Sequence, residues 1–153
     1  MRAWRIAPAP WATDKVCKGS RDYGGRWNPV GMAALYAGST PELCALEYFV
    51  HLSGPVHPPL KLVAVDIPDD PELMLEVSTT ALPPDWNSLP VSAGSQSFGG
   101  RWLAQAQQLV LLLPSVIVPE SRNLLINPAH PRYRDVRLTI LRDFAFDGRM
   151  LAR

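Results

Sequence analysis

One carboxylate, Glu47, interrupts the apolar run Leu43-Cys44-Ala45-Leu46-Glu47-Tyr48-Phe49-Val50 and is preceded in the chain by Arg26 and Tyr36. A segment apolar on nearly every side predicts an enclosed helix. An ionised carboxylate taken out of water there costs several kcal/mol unless a cation or hydrogen-bond donors meet it. An acid kept under those conditions marks a candidate reaction site; the plainer reading has it reaching the surface or pairing with a structural arginine. Upstream, Gly24-Gly25-Arg26-Trp27-Asn28-Pro29 combines permissive backbone, a guanidinium, an aromatic face and an amide, the composition of a binding loop. Ser115 directly follows the apolar run Leu109 to Pro114, which places a hydroxyl at the end of a predicted core strand. No G-x-S-x-G is present, and nothing in the spacing ties His51, His57 or His130 to Ser115, so a Ser-His-Asp nucleophile is not indicated.

These groups need a scaffold. The chain has 153 residues, 47% hydrophobic and 19% charged, with 16 Pro and 10 Gly, which suits a single domain over 1–153 with many turns. A net charge of +1 gives no electrostatic footprint for nucleic acid or for an anionic membrane surface. Among 15 cations only Lys15, Lys18 and Lys61 are lysines; arginine favours planar, bidentate contact with phosphate or carboxylate, although codon usage produces the same bias. The two cysteines, Cys17 and Cys44, form no C-x-x-C pair and no zinc spacing, so neither a disulfide framework nor a metal site is expected. The start of the chain lacks a signal-peptide apolar region, and no apolar stretch reaches the roughly 18 residues of a membrane span. A cytoplasmic protein is expected.

Ala3 to Ile6 reads as a first strand, followed by a loop from Ala7 to Gly25. Ala33 to Gly38 reads as a second strand that ends at a glycine. Ser39-Thr40-Pro41-Glu42 is a strong helix start: a hydroxyl for the orphan N–H groups, proline in the first turn, and an acid at the positive end. Tyr36 therefore leaves a strand next to the helix that carries Glu47. Leu60 to Ile67 reads as a strand, Thr79 to Ser97 as a surface loop with at most one helical turn, and Gly99 to Gln108 as a helix. Leu109 to Pro114 reads as a central strand buried on both faces. Val116 to Pro119 and Asn123 to Ile126 are strand-like pieces, and Arg137 to Leu151 supplies another strand and a short tail. Strands mixed with two helices, without regular βαβ alternation, predict an α+β fold.

Taken in order, Arg5, Gly24-Gly25-Arg26-Trp27-Asn28-Pro29, Leu35-Tyr36-Ala37-Gly38-Ser39, Ala45-Leu46-Glu47, Leu113-Pro114-Ser115 and Asn127-Pro128-Ala129-His130-Pro131 resemble the RES domain family, toxins of bacterial RES-Xre toxin-antitoxin pairs. The likeness runs from about Trp4 to Tyr133. It implies an ADP-ribosyltransferase-like core of small β-sheets with flanking helices, and cleavage of the nicotinamide-ribose bond of NAD, which serves as substrate with no further cofactor. It also implies a helix-turn-helix antitoxin of the Xre type whose C-terminal part covers the pocket, and it leaves room for a toxin homodimer within that complex.

Such cleavage builds positive charge on the sugar. The resemblance then makes Glu47 the acid that faces this charge, Tyr36 a platform for the departing nicotinamide, and Arg26 and Arg5 the partners of the pyrophosphate or of the nicotinamide-ribose region. Ser115 acts either in the chemistry or by orienting Glu47. Asn127 is a binding candidate, with turn capping as the plainer reading. Three functions follow from different classes: an NAD-degrading toxin using water or phosphate, a mono-ADP-ribosyltransferase using the same pocket on a host protein, and a non-enzymatic partner-binding domain that kept the fold.

Overall fold

The computed structural model describes residues 1–54 and 56–152. Its strands are β1 (Arg2–Pro8), β2 (Leu35–Gly38), β3 (Leu60–Asp66), β4 (Met74–Glu76), β5 (Val110–Pro114), β6 (Arg122–Ile126) and β7 (Arg137–Phe144). The helices are α1 (Lys18–Tyr23), α2 (Pro41–Phe49), α3 (Ala93–Gln105) and α4 (Gly148–Leu151). The strands lie in the order β4-β5-β6-β2-β1-β3-β7, antiparallel except for the β4 and β5 pair, and the fold is α+β as the element pattern predicts. No described helix is long and apolar enough to cross a membrane.

The join between β1 and β2 matters most for the site. Strand β1 pairs with β3 along its whole length, but with β2 only where Trp4 faces Gly38. Strands that share one pair are free to diverge beyond it, so the sheet acts as two small sheets, β4-β5-β6-β2 and β1-β3-β7. A cleft opens where they part.

Burial explains the arrangement. Val110, Leu111 and Leu113 of β5 and Leu124, Leu125 and Ile126 of β6 are wholly inaccessible, which fits strands covered on both faces. Leu111, Leu113 and Leu125 pack against Trp27, Trp86 and Trp102 on one side. Val110, Leu124 and Ile126 pack with Leu35, Val65 and Tyr133 on the other. Helix α2 lays Cys44, Ala45, Tyr48 and Phe49 on Ile6, Leu60 and Leu62.

Several expectations need correction. The loop read from Ala7 to Gly25 contains α1 and a 3₁₀ turn, Ala9–Trp11. Helix α3 begins at Ala93 rather than Gly99, because the Ser92 hydroxyl caps it by accepting from Ser95 N at 3.0 Å. Its glycines argue against a helix on propensity alone. Tertiary contact overrides that, since a Cβ at Gly99 would stand 1.9 Å from the Trp27 carbonyl oxygen. Val116 to Pro119 is a turn, not a strand, and the short strand β4 had no sequence signal. Helix α2 is only partly enclosed: Leu43 and Cys44 are buried, whereas Glu47 is half-buried at the cleft, because one side of the helix lies on β1 and β3 and the other stays open.

Candidate active site

Glu47 is placed by a helix whose start follows from its sequence. Thr40 Oγ1 accepts from Leu43 N at 3.1 Å and Pro41 occupies the first turn. Gly38 then lets α2 come close. A Cβ there would lie 2.7 Å from Cys44 Sγ, and that thiol donates to Trp4 O at 3.0 Å. Burial pushes the Cys44 thiol up to about 12, so it stays a neutral packing group. Gly38 also faces Asn123 across the β2 and β6 ladder. Seating α2 on Gly38 therefore carries Glu47, one turn beyond Cys44, over Asn123.

The carboxylate is held on one oxygen. Ser115 Oγ donates to Glu47 Oε1 at 2.8 Å and Asn123 Nδ2 donates to the same atom at 2.6 Å. The Ser115 oxygen itself accepts from Ile117 N and Val118 N, each at 3.1 Å. Its hydrogen therefore points at the acid, and its lone pairs are occupied by backbone donors. A hydroxyl so engaged orients a carboxylate; it is not poised as a nucleophile. Among the described residues, Oε2 of Glu47 accepts no hydrogen bond.

Glu47 lines a cavity of about 600 Å³ in the cleft between the two half-sheets, together with Arg5, Arg26, Tyr36, Tyr48 and Asn123. Among the described residues, neither arginine forms an ion pair. Burial draws the Arg5 guanidinium below its ordinary value, and its one hydrogen bond among the described residues is a long contact to Trp11 O at 3.4 Å. Burial also lowers Arg26, against the opposing pull of the Glu47 charge. Arg26 Nη1 donates to Trp86 O at 2.8 Å and to Ser88 O at 3.0 Å, which ties the 83–92 loop to the cavity wall. Two cations in a cleft without carboxylate partners favour an anionic ligand.

Tyr36 presents its ring to the cavity, while its hydroxyl donates to Asn28 Oδ1 at 2.6 Å and accepts from Trp27 N at 3.1 Å. Burial raises its phenol well above the ordinary range, so it remains neutral. Asn28, wholly buried, gives its amide to Ser20 O and Met32 O, each at 2.8 Å. The glycine-arginine loop is thus wired from within, and Arg26 is its charged member at the cleft.

The family model described as the RES domain matches residues 2–147. The chain belongs to the RES domain family. A toxin called Prs ADP-ribosylating toxin from Sphingobium sp. is 41% identical to this RES domain over 98% of the chain and 96% of its own length. Two proteins named Toxin Res are also similar: that of Yersinia enterocolitica, 35% identical over 86% of this chain and 87% of its own, and that of Pseudomonas putida, 31% identical over 98% and 99%. With these relatives the chain is a toxin of the RES type. Its fold is also similar to a crystal structure of the M. tuberculosis MbcT-MbcA toxin-antitoxin complex, with a TM-score of 0.69 and 19% identity over 94% of this chain and 84% of the matched one.

Of the residues singled out in the sequence, the RES domain brings Glu47, Arg26, Arg5 and Tyr36 to one cavity, with Ser115 directly behind the acid. Asn127 must be withdrawn as a ligand-binding residue. It is buried away from the cavity, where its Nδ2 donates to Leu103 O of α3 at 2.8 Å and its Oδ1 accepts from Ala129 N at 3.0 Å, so one end of the amide ties α3 and the other holds a turn. His130 likewise caps a 3₁₀ turn by accepting from Arg132 N. Sequence reasoning missed Asn123, Tyr48 and His51 at the cavity wall. His51 lies in the turn just past the end of α2, and no helical spacing announced it. Asn123 carried no signal, because only strand pairing sets it beneath α2.

Proposed function

We propose that this RES toxin consumes NAD by breaking the bond between C1 of the nicotinamide ribose and the ring nitrogen, and thereby halts growth. The observation that carries the reading is Glu47, a carboxylate clamped on Oε1 with Oε2 uncommitted, in a cavity whose arginines lack acidic partners. A cavity of about 600 Å³ lies within the range usual for small-molecule sites.

As the glycosidic bond breaks, its electron pair passes to the ring nitrogen. Nicotinamide leaves as a neutral, flat molecule, and positive charge develops on the sugar. Oε2 of Glu47 faces that charge and accepts from a ribose hydroxyl. With water as acceptor, its oxygen bonds to C1 and its proton passes to Glu47 and then to solvent, giving ADP-ribose. With phosphate, a phosphate oxygen bonds to C1 and gives ADP-ribose-1″-phosphate. Tyr36 offers its ring to nicotinamide. Arg5 and Arg26 meet the pyrophosphate, and Arg26 also fixes the loop that walls the cavity.

A second reading has a specific observation in its favour. The relative that is 41% identical over nearly the whole chain bears the name ADP-ribosylating toxin. The same cationic sugar captured by a side chain of a host protein makes this chain a mono-ADP-ribosyltransferase. Both readings place the reaction in the cytoplasm and under an antitoxin, as the toxin-antitoxin character of the structural neighbour supports. The expected partner is an Xre-type protein seated on the apolar rim formed by Val50, Leu89, Val91 and Ile117.

Product analysis separates the readings. Purified toxin free of antitoxin is incubated with NAD, with and without phosphate, and with cell extract. ADP-ribose identifies hydrolysis, its 1″-phosphate identifies phosphorolysis, and adenine-derived label on a protein identifies transfer. NAD left intact under all three conditions overturns the proposal.

A further inference from the structure

Asn123 stands outside the residues given a part in the reaction, yet its side chain touches the acid on which the reaction depends. Its Nδ2 lies 2.6 Å from Glu47 Oε1, and among the described residues this is the only hydrogen bond its side chain makes. An asparagine kept for structure would brace a turn or a backbone carbonyl, as Asn28 and Asn127 do here. Asn123 braces the carboxylate alone.

We propose that Asn123 is a positioning residue, which jointly with Ser115 fixes Oε1 of Glu47 and so aims Oε2 at the ribose. The proposal rests on the NAD-cleaving reading of the same site. One donor would leave the carboxylate free to swing about a single bond. Two donors from different segments remove that freedom, and both segments are themselves held. Ser115 is anchored by Ile117 N and Val118 N, and its own N–H donates to Ser121 O at 3.0 Å. Asn123 sits in β6 between β2 and β5, facing Gly38 on one side and Leu113 on the other.

The residue type fits the task. A lysine or arginine in this position would form an ion pair and cancel much of the negative potential that a cationic sugar needs. A neutral amide holds the carboxylate and leaves its charge in place. Arg26 feels the Glu47 charge through space but is bonded instead to the 83–92 loop.

The test uses the purified full chain with Asn123→Leu, which keeps the size and removes the donor, and Asn123→Asp, which sets a second carboxylate against Glu47. Asn123→Ala, which adds no bulk, serves the same purpose if leucine disturbs the strand. In Asn123→Leu, kcat for nicotinamide release falls about 10- to 100-fold with KM near the wild-type value, because misaligned groups lose rate before they lose affinity. Asn123→Asp falls further. The ¹³C carboxyl resonance of Glu47, identified by its disappearance in Glu47→Gln, moves in Asn123→Leu, a readout that needs no turnover. A variant with wild-type kcat, one whose activity falls only in proportion to its folded fraction, or an unmoved resonance overturns the proposal. Wild-type protein that leaves NAD intact while the resonance still moves overturns the NAD reading and not the Asn123 to Glu47 contact.

Discussion

The two arginines of the cleft differ in what they do for the fold, and that difference is measurable. Arg26 satisfies two loop carbonyls, whereas Arg5 is a desolvated cation with one long contact. Replacing Arg26 by Leu strands the Trp86 and Ser88 carbonyls and is expected to lower stability by about 1–3 kcal/mol while raising KM for NAD. Arg5→Leu removes a partly desolvated charge that has no ion-pair partner; its melting temperature should hold or rise while KM increases about tenfold or more. Thermal melts paired with NAD kinetics check both, and equal destabilisation by the two substitutions would contradict the assignment. Glu47→Gln keeps an acceptor for Ser115 and Asn123 but loses the charge. It is expected to fold normally and to lose about 100- to 1000-fold in kcat, together with growth arrest in cells. Residue types and spacing made Glu47, Arg26 and Tyr36 legible as a set, because a lone acid, a cation and an aromatic near glycines suit few other tasks, whereas Arg5 entered only through the family resemblance. Asn127 misled for the same reason: an amide just before a proline reads alike whether it binds a ligand or braces backbone.

At the level of elements, the site depends on how closely α2 approaches the sheet. Gly38 governs that approach through Cys44. Gly38→Ala sets a methyl group 2.7 Å from the thiol and is expected to cost about 1–3 kcal/mol and to displace Glu47, with loss of activity. Cys44→Ala in the same chain frees that space, so the double variant should recover part of both losses. Additive stabilities in urea titrations would show that the contact does not limit the approach. The start of α2 was readable from Thr40 and Pro41, since capping is local chemistry. Helix α3 was not. Its Gly99 is there for the Trp27 backbone, a contact seventy-odd residues away in the chain that no local pattern announces.

Over the whole molecule, buried protic groups set the alkaline limit. Burial raises the Cys44 thiol to about 12 and raises the phenols of Tyr36 and Tyr133 beyond the ordinary tyrosine range. Each keeps its proton longer in the folded chain than in the unfolded one, where thiols titrate near 8.5 and phenols near 10. The stability they contribute is complete below those unfolded values and is lost as pH rises towards the folded ones. The melting temperature is therefore expected to decline steeply from about pH 9 to 12, and Cys44→Ala should soften the first part of that decline. The acidic side has the opposite sign. Asp22, Asp66, Asp135, Asp143 and Asp147 are lowered chiefly by side-chain bonds to neighbouring cations, so their contribution is present above the unfolded aspartate range and fades as pH falls below about 4. These pairs lie at the surface, so that contribution is small and sensitive to salt.

The sequence by itself determined the α+β class, the buried central strand, the capped start of α2 and the presence of an acid, arginines and an aromatic near glycines. All of these follow from interactions within a few residues or from side-chain chemistry that travels with the residue. Only the tertiary structure decided that the sheet parts between β1 and β2, that the cleft so formed gathers Arg5, Arg26, Tyr36 and Glu47, and that Asn123 rather than Asn127 reaches the acid. Those outcomes depend on strand register and on close packing between distant segments. A shift of one position in register turns a side chain to the opposite face, and no local preference in the chain encodes it.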